Sequence, residues 1–215
     1  MEMIYQDESI LVFIKPAGVL STDEPSGMPE LIRSALGKQD ANVRTVHRLD
    51  RVVSGLMVFA RSSRVAAQLS QLMQEQQFGK EYLAVVHGCL REKEGCFTDL
   101  LKRCSKERKT YVVTEMEKGV QEAILDYVLL AYQEGLSLVK IRLRTGRTHQ
   151  IRAQFSSRGL PLVGDKKYSV NQDDCPIALW SYRLSFPHPK SGQPMDFSHT
   201  PPAVFPWTLF EKEIN

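Results

Sequence analysis

The stretch "VHRLDRVVSG", Val46 to Gly55, holds a single acidic side chain, Asp50, between Arg48 and Arg51, with His47 just upstream. Immediately afterwards the chain turns apolar, "GLMVFA" from Gly55 to Ala60, a run of strand length. Two readings fit this juxtaposition. The charges could edge a turn, or the cations could hold one carboxylate ionised so that it can react. An arginine within about 4–6 Å lowers a carboxylate pKa by roughly 1–3 units, whereas partial burial raises it. Arg48 and Arg51 cannot both face Asp50 from adjacent extended positions, so at least one is expected to face outward.

Outward from this stretch, strands outnumber helices. Upstream, "SILVFIKPAG" reads as a buried strand stopped by Pro16 and Gly18, and "MPELIRSALG" as a short helix with Pro29 in its first turn and Gly37 past its end. Downstream, Ser62 or Ser63 caps a helix whose Val65, Ala66, Leu69, Leu72 and Met73 recur at helical spacing, a core stripe. "KEYLAVVHG", "KTYVVTEM", "EAILDYVLLA", "LSLVKIRLR" and "IALWSYRLSF" read as further strands. Gln133-Glu134-Gly135 turns one into the next as a hairpin. "THQIRAQFSSRG" is expected to form a helix over 148–158, with Gly159 as its left-handed terminus. Trp180 and Trp207 are expected in the core, and Asp165 in a turn. The pattern predicts an α+β fold of mixed, largely antiparallel sheets with flanking helices, as a single domain over 1–215.

A chain of 215 residues with 42% apolar and 25% charged side chains has the composition of a soluble globule. No apolar run approaches the ~20 residues that cross a bilayer. The start, "MEMIYQDE", lacks a basic or long apolar leader, so the expected location is cytoplasmic. Cys89, Cys96, Cys104 and Cys175 stand 7, 8 and 71 residues apart, without a CxxC or Cys/His pair, so no zinc site is expected.

Charge is distributed unevenly. Lys140 to Lys167 carries eight Lys/Arg against the one acid Asp165, and "LKRCSKERKTY" carries five against Glu107. Two such runs point to a polyanionic partner. The Asp50 stretch, "KEYLAVVHG" and "RTGRTHQIRAQF" together supply a carboxylate, a phenol and several guanidinium groups. They come with no phosphate-cradling glycine loop, no Ser/His/Asp order and no metal cluster. A lone aspartate without metal-binding acids is a poor hydrolase but a reasonable nucleophile or base.

"HRLDR" with "SGL", "KPAG" near the start, "GRTHQIR", "GDKKY" and "YRLSFPHPKSG" stand in an order that resembles the RluA-type RNA pseudouridine synthases from about Ile10 to Pro201. The resemblance implies the catalytic fold of that family and isomerisation of uridine: N1–C1′ breaks, the uracil turns, and C5 joins C1′. It makes Asp50 the catalytic aspartate, Tyr82 the tyrosine lying against the target base, and Arg152 the arginine paired with the aspartate. It implies no cofactor and no metal. The expected partner is RNA, an rRNA or tRNA stem-loop, and the protein is expected to be a monomer without the small S4-like RNA-binding domain that precedes many relatives.

RNA contacts are expected from Arg48 and Arg51, from Lys102, Arg103, Lys106, Arg108 and Lys109, and from Arg147 and His149 at a helix N-terminus that favours anions. Such contacts offset the few kcal/mol needed to turn a base out of its stack. His47 is expected to order the loop of Asp50. Val52 and Val53 depart from the family pattern, since Val53 lacks the hydroxyl of the Thr or Ser common there, which is expected to cost a loop hydrogen bond. The alternative reading is an inactive RNA-binding or ribosome-assembly factor, which would retain the basic runs without needing Asp50, Tyr82 and Arg152.

Overall fold

The computed structural model describes residues 1–214. In chain order the elements are β1 (Met3–Gln6), β2 (Ile10–Lys15), α1 (Met28–Ala35), β3 (Arg44–Thr45), β4 (Ser54–Ala60), α2 (Ser63–Gln74), β5 (Gly79–His87), β6 (Glu94–Cys104), β7 (Lys109–Val113), β8 (Val120–Gln133), β9 (Leu136–Leu143), α3 (Gln150–Ser156), β10 (Leu179–Pro187), β11 (Pro194–Ser198), a 3₁₀ turn at Trp207–Phe210, and α4 (Glu211–Ile214). The chain forms two compact units, one of residues 1–80 with 180–199 and one of residues 81–179 with 200–215.

In the first unit β2 pairs antiparallel with β1 and with β4, and β11 pairs antiparallel with β10. The exception is β10, which runs parallel to β4 with Ser181 opposite Gly55. That pairing explains the glycine that ends the quoted stretch. Gly55 has φ +118°, and a Cβ there would stand 2.5 Å from the Ser181 backbone, so only glycine lets the strands meet. Ile10, Val12, Leu56, Val58, Leu69, Phe78, Leu184 and Phe186 form the core, with Val65, Ala66, Leu72 and Met73 of α2 laid against it. The helical stripe read from sequence is thus core. Ser62 caps α2 through its hydroxyl, which accepts from Val65 N–H. In α1, Pro29 occupies the first turn and Gly37, with φ +64°, follows the end.

The second unit is an antiparallel series in which β5 pairs with β9, β9 with β8, β8 with β6, and β6 with β7. The predicted hairpin joins β8 to β9 through Glu134 and Gly135, both with positive φ. Leu101, Ala123, Ala153 and Tyr168 pack together beneath Val112. Both tryptophans are buried. Among the described residues no helix is long and apolar enough to cross a membrane. The α+β class and the antiparallel bias are as expected. β1, β3, β6 and β11 were not read from the sequence. Most consequential is β6, "EGCFTDLLKRC", because it makes the basic run that begins within it the end of a β-hairpin.

One element is corrected. The helix expected over 148–158 is shorter, Gln150–Ser156, because His149 is left-handed (φ 55°, ψ 23°) and outside it. Gln150 reaches back over this entry: its Oε1 accepts from Arg147 N–H at 3.0 Å and from the Thr145 hydroxyl at 2.9 Å. The seven-residue helix therefore starts after both Arg147 and His149, and the amide of its first residue, Gln150, donates to Arg147 O at 3.1 Å. Gly159 does take the left-handed conformation after it.

Candidate active site and RNA interface

Asp50 lies half-buried in the loop between β3 and β4 of the first unit. Its backbone carbonyl accepts from Val53 N–H at 3.0 Å, closing a turn over Asp50–Val53. Beneath that turn is Lys15, at the end of β2 and 0% exposed. Its Nζ donates to the carbonyls of Pro16 (3.0 Å), Arg51 (3.1 Å) and Val53 (2.7 Å). An ammonium has three hydrogens, so these acceptors match its capacity. Burial pulls its pKa down to about 8, although the charge of Asp50 favours the ammonium. The loop is tied a second time where Gly18 N–H donates to Arg51 O at 2.7 Å and Arg51 Nε donates back to Gly18 O at 2.8 Å.

The residues before Asp50 are equally fixed. The Ser21 hydroxyl donates to Leu49 O (2.8 Å) and accepts from Leu49 N–H (3.0 Å). His47 is buried against Phe78, and its Nε2 accepts from Val58 N–H at 3.1 Å. Burial, with the nearby charge of Lys80, drives its pKa down to about 3. It is a neutral spacer between loop and strand, the ordering role expected of it. The turn closes through the backbone of Val53, and the Val53 side chain is buried. Its lack of a hydroxyl therefore leaves the turn itself intact. Arg48 and Val52 are exposed.

Tyr82 and Arg152 belong to the second unit. Tyr82 is in the middle of β5, opposite Ile141 of β9, and buried. Arg152 projects from α3 and is also buried. One edge of its guanidinium forks onto Asp165, with Nε to Oδ2 and Nη2 to Oδ1 both 2.7 Å. Asp165 does shape a turn, since its Oδ1 also accepts the amides of Lys167 and Tyr168, but its grip on Arg152 was not foreseen.

Lys102 to Lys109 surround the end of the β6–β7 hairpin. Its four-residue loop, Ser105–Arg108, ends with Arg108 left-handed, and Arg103, Lys106 and Arg108 are exposed there. Lys102 is engaged with Glu117 at 2.6 Å, and the ammonium of Lys109 lies against the rings of Tyr111 and Tyr168. Arg147 Nε donates to Glu122 O, and His149 Nδ1 meets the Tyr168 hydroxyl at 2.9 Å. Arg147 and His149 are thus partly committed within the protein, unlike the hairpin tip. Among the described residues no group of three or more His, Cys, Asp or Glu is placed to hold a metal ion.

Sequence reading passed over Lys15 and the ligation by Asp165. A signal for the first existed: a lysine closing the apolar run "ILVFIK" must either reach water or find acceptors inside.

A sequence model of the RNA pseudouridylate synthase family matches residues 9–157. The chain is 31% identical to an "uncharacterized RNA pseudouridine synthase" of Aquifex aeolicus, over 95% of this chain and 71% of that protein. It is likewise 31% identical to the dual-specificity RNA pseudouridine synthase RluA of Pasteurella multocida, over 94% of each. Of a similar protein from Synechocystis, also 31% identical, it spans 63%. Two human structures, of RNA pseudouridylate synthase domain containing 1 and 4, share the fold with TM-scores of 0.78 at 24% and 21% identity. They cover 95% and 93% of this chain, which covers 84% and 88% of them.

Proposed function

The chain belongs to the RNA pseudouridylate synthase family, whose reaction is the isomerisation of uridine in RNA to pseudouridine, and we propose that Asp50 is its catalytic carboxylate. The observation that carries this role is the seat of Asp50. A buried ammonium, Lys15, bonds the carbonyls of the two residues Arg51 and Val53 in the turn that Asp50 opens. A reacting carboxylate gains from such a seat, because a group already held in place loses little freedom at the barrier.

The reaction exchanges one glycosidic bond for another. The N1–C1′ bond breaks, N1 takes a proton, C5 bonds to C1′, and the C5 proton leaves to water. An ionised Asp50 serves either route to that exchange, attack on C1′ or removal of the C2′ proton. Tyr82 is assigned as the aromatic surface for the turned uracil and as the base for the C5 proton, and Arg152 as the guanidinium of the site.

The proposed substrate is a uridine in an rRNA or tRNA stem-loop. The exposed cations of the hairpin tip, with Arg48 and Arg51, fit a phosphate backbone by charge. The test uses rRNA and tRNA transcripts with tritium at uridine C5, since isomerisation releases that tritium to water whichever uridine reacts. Release with the wild-type protein and none with folded Asp50→Asn is the expected result. Substantial release by Asp50→Asn overturns the assignment.

A further inference from the structure

Tyr168 is the last residue of "GDKKY", a motif to which the reaction assigns no work, and it is 8% exposed. Its hydroxyl accepts from Thr110 N–H at 2.7 Å. Thr110 follows Lys109 at the base of the hairpin tip, on β7, and among the described residues β7 pairs only with β6. The phenol thus caps an edge amide of the hairpin. With its oxygen accepting there, its own hydrogen is available to His149 Nδ1.

The ring has two cations against it, the Arg152 guanidinium with Cζ 5.0 Å from the centroid and the Lys109 ammonium at 4.9 Å. Its backbone is fixed as well. The Tyr168 amide donates to Asp165 Oδ1, the oxygen that also receives Arg152 Nη2, and its carbonyl accepts from the Ser156 hydroxyl of α3. Arg152, Asp165 and Tyr168 therefore close a ring of contacts. Its neighbour Lys167 adds a second tie to the tip, Nζ donating to Arg108 O at 3.0 Å.

A residue that only filled the core would need none of these directed bonds. We propose that Tyr168 is a positioning residue: it sets the plane of the Arg152 guanidinium and latches it to the basic hairpin, so that RNA gripped by the hairpin meets Arg152 in a fixed register. The inference rests on the reading of Arg152 as part of the site. The latch acts on the orientation of a group at the reaction, so its loss falls on kcat rather than on the RNA affinity carried by exposed cations. A displaced catalytic group costs about ten- to a hundred-fold.

The test measures kcat and KM by tritium release for wild type, Asp50→Asn and Tyr168→Phe, well below every unfolding midpoint. Tyr168→Phe keeps the ring against both cations and removes only the hydroxyl. The expected result is a kcat lowered about ten-fold or more with KM within about two-fold, a split that loss of folded protein alone would not give at such a temperature. Lys167→Met, at an exposed side chain, is expected to lower kcat in the same sense by a smaller factor, and serves if Tyr168→Phe does not fold. Wild-type kcat in folded Tyr168→Phe, or a loss confined to KM, overturns the proposal. So does wild-type kcat in Lys167→Met if Tyr168→Phe cannot be folded. Release by wild type that disappears in Asp50→Asn upholds the catalytic reading whatever Tyr168 does, so the two failures are told apart.

Discussion

Arg152 and Asp165 meet edge to edge, two nitrogens on two oxygens at 2.7 Å, with side chains only 5% and 0% exposed. A pair this buried is costly to break from one side, because the survivor keeps an uncompensated charge away from water. Arg152→Ala is expected to lose about 3–5 kcal/mol of stability. Urea unfolding of Arg152→Ala beside Arg152→Lys, which keeps the positive charge, checks this. A loss below about 1 kcal/mol in the alanine variant would show that water reaches Asp165. The consequence for function is practical: inactivity of Arg152→Ala says little about chemistry unless the protein is shown to be folded.

His47 gives the protein an acid limit. Its pKa is lowered to about 3 by burial, so the folded state excludes a proton that the unfolded chain binds from about 6.5 downward. Its contribution is fully present above pH 6.5 and is lost as pH falls toward 3, at up to about 1.4 kcal/mol per pH unit. His47→Gln supplies an amide oxygen for Val58 N–H without a titrating ring. Its stability is expected to fall less steeply than that of wild type between pH 6 and pH 4 (about the middle of that window), as read by urea midpoints. Parallel curves would mean that His47 is not the buried group that charges.

How much of this could be read in advance differs between the units. Asp50 declared itself because charge and apolar runs meet there at once, and β2, β4 and α2 followed from uninterrupted apolar or helical periodicity. β6 stayed hidden. Its buried positions are Phe97 and Leu101, with Gly95, Thr98, Asp99 and two cations interleaved, so alternation is thin until β8 and β7 supply partners on both sides. The start of α3 was misplaced for a related reason, since a left-handed His149 and a back-reaching Gln150 are tertiary choices that helix periodicity does not report. The ion pair of Arg152 with Asp165 and the three carbonyls of Lys15 join residues 13 to 38 apart, apart from Pro16, and sequence spacing alone carries no signal for such partners.

Lys15 predicts a pH effect of the same sign at the alkaline end. Its pKa falls from 10.5 to about 8 on folding, so between those values the unfolded chain holds a proton that the folded protein has released. The cost of burying the ammonium is fully present below pH 8 and is relieved by pH 10.5, so this residue makes stability rise across that window, by about 3 kcal/mol in all. Lys15→Met removes the titration, takes the Lys15 donor from the carbonyl of Val53 and leaves that of Arg51 with Gly18 N–H. It is expected to be less active, through a looser Asp50 turn. The difference in unfolding free energy between wild type and Lys15→Met should shift toward wild type from about pH 8 to about pH 10.5, the span from the folded to the unfolded pKa. A constant difference would mean that Lys15 keeps its proton throughout.

The hairpin makes a claim about salt. Arg103, Lys106 and Arg108 are exposed around its tip, whereas Lys102 is held by Glu117. Cations that displace counterions from RNA give affinity a salt slope of about 0.7 per phosphate contacted on single strands. Replacing Lys106 and Arg108 by Ala is expected to weaken binding and to flatten that slope by about 1.4 if each meets one phosphate. Replacing Lys102 is expected to change it least, because its ammonium already has a carboxylate. Filter binding of the folded Asp50→Asn protein to a responsive transcript over a range of salt reads this without turnover. A slope unchanged in the double alanine variant would remove the hairpin tip from the interface and leave Arg48 and Arg51, beside Asp50, as the cations to examine next.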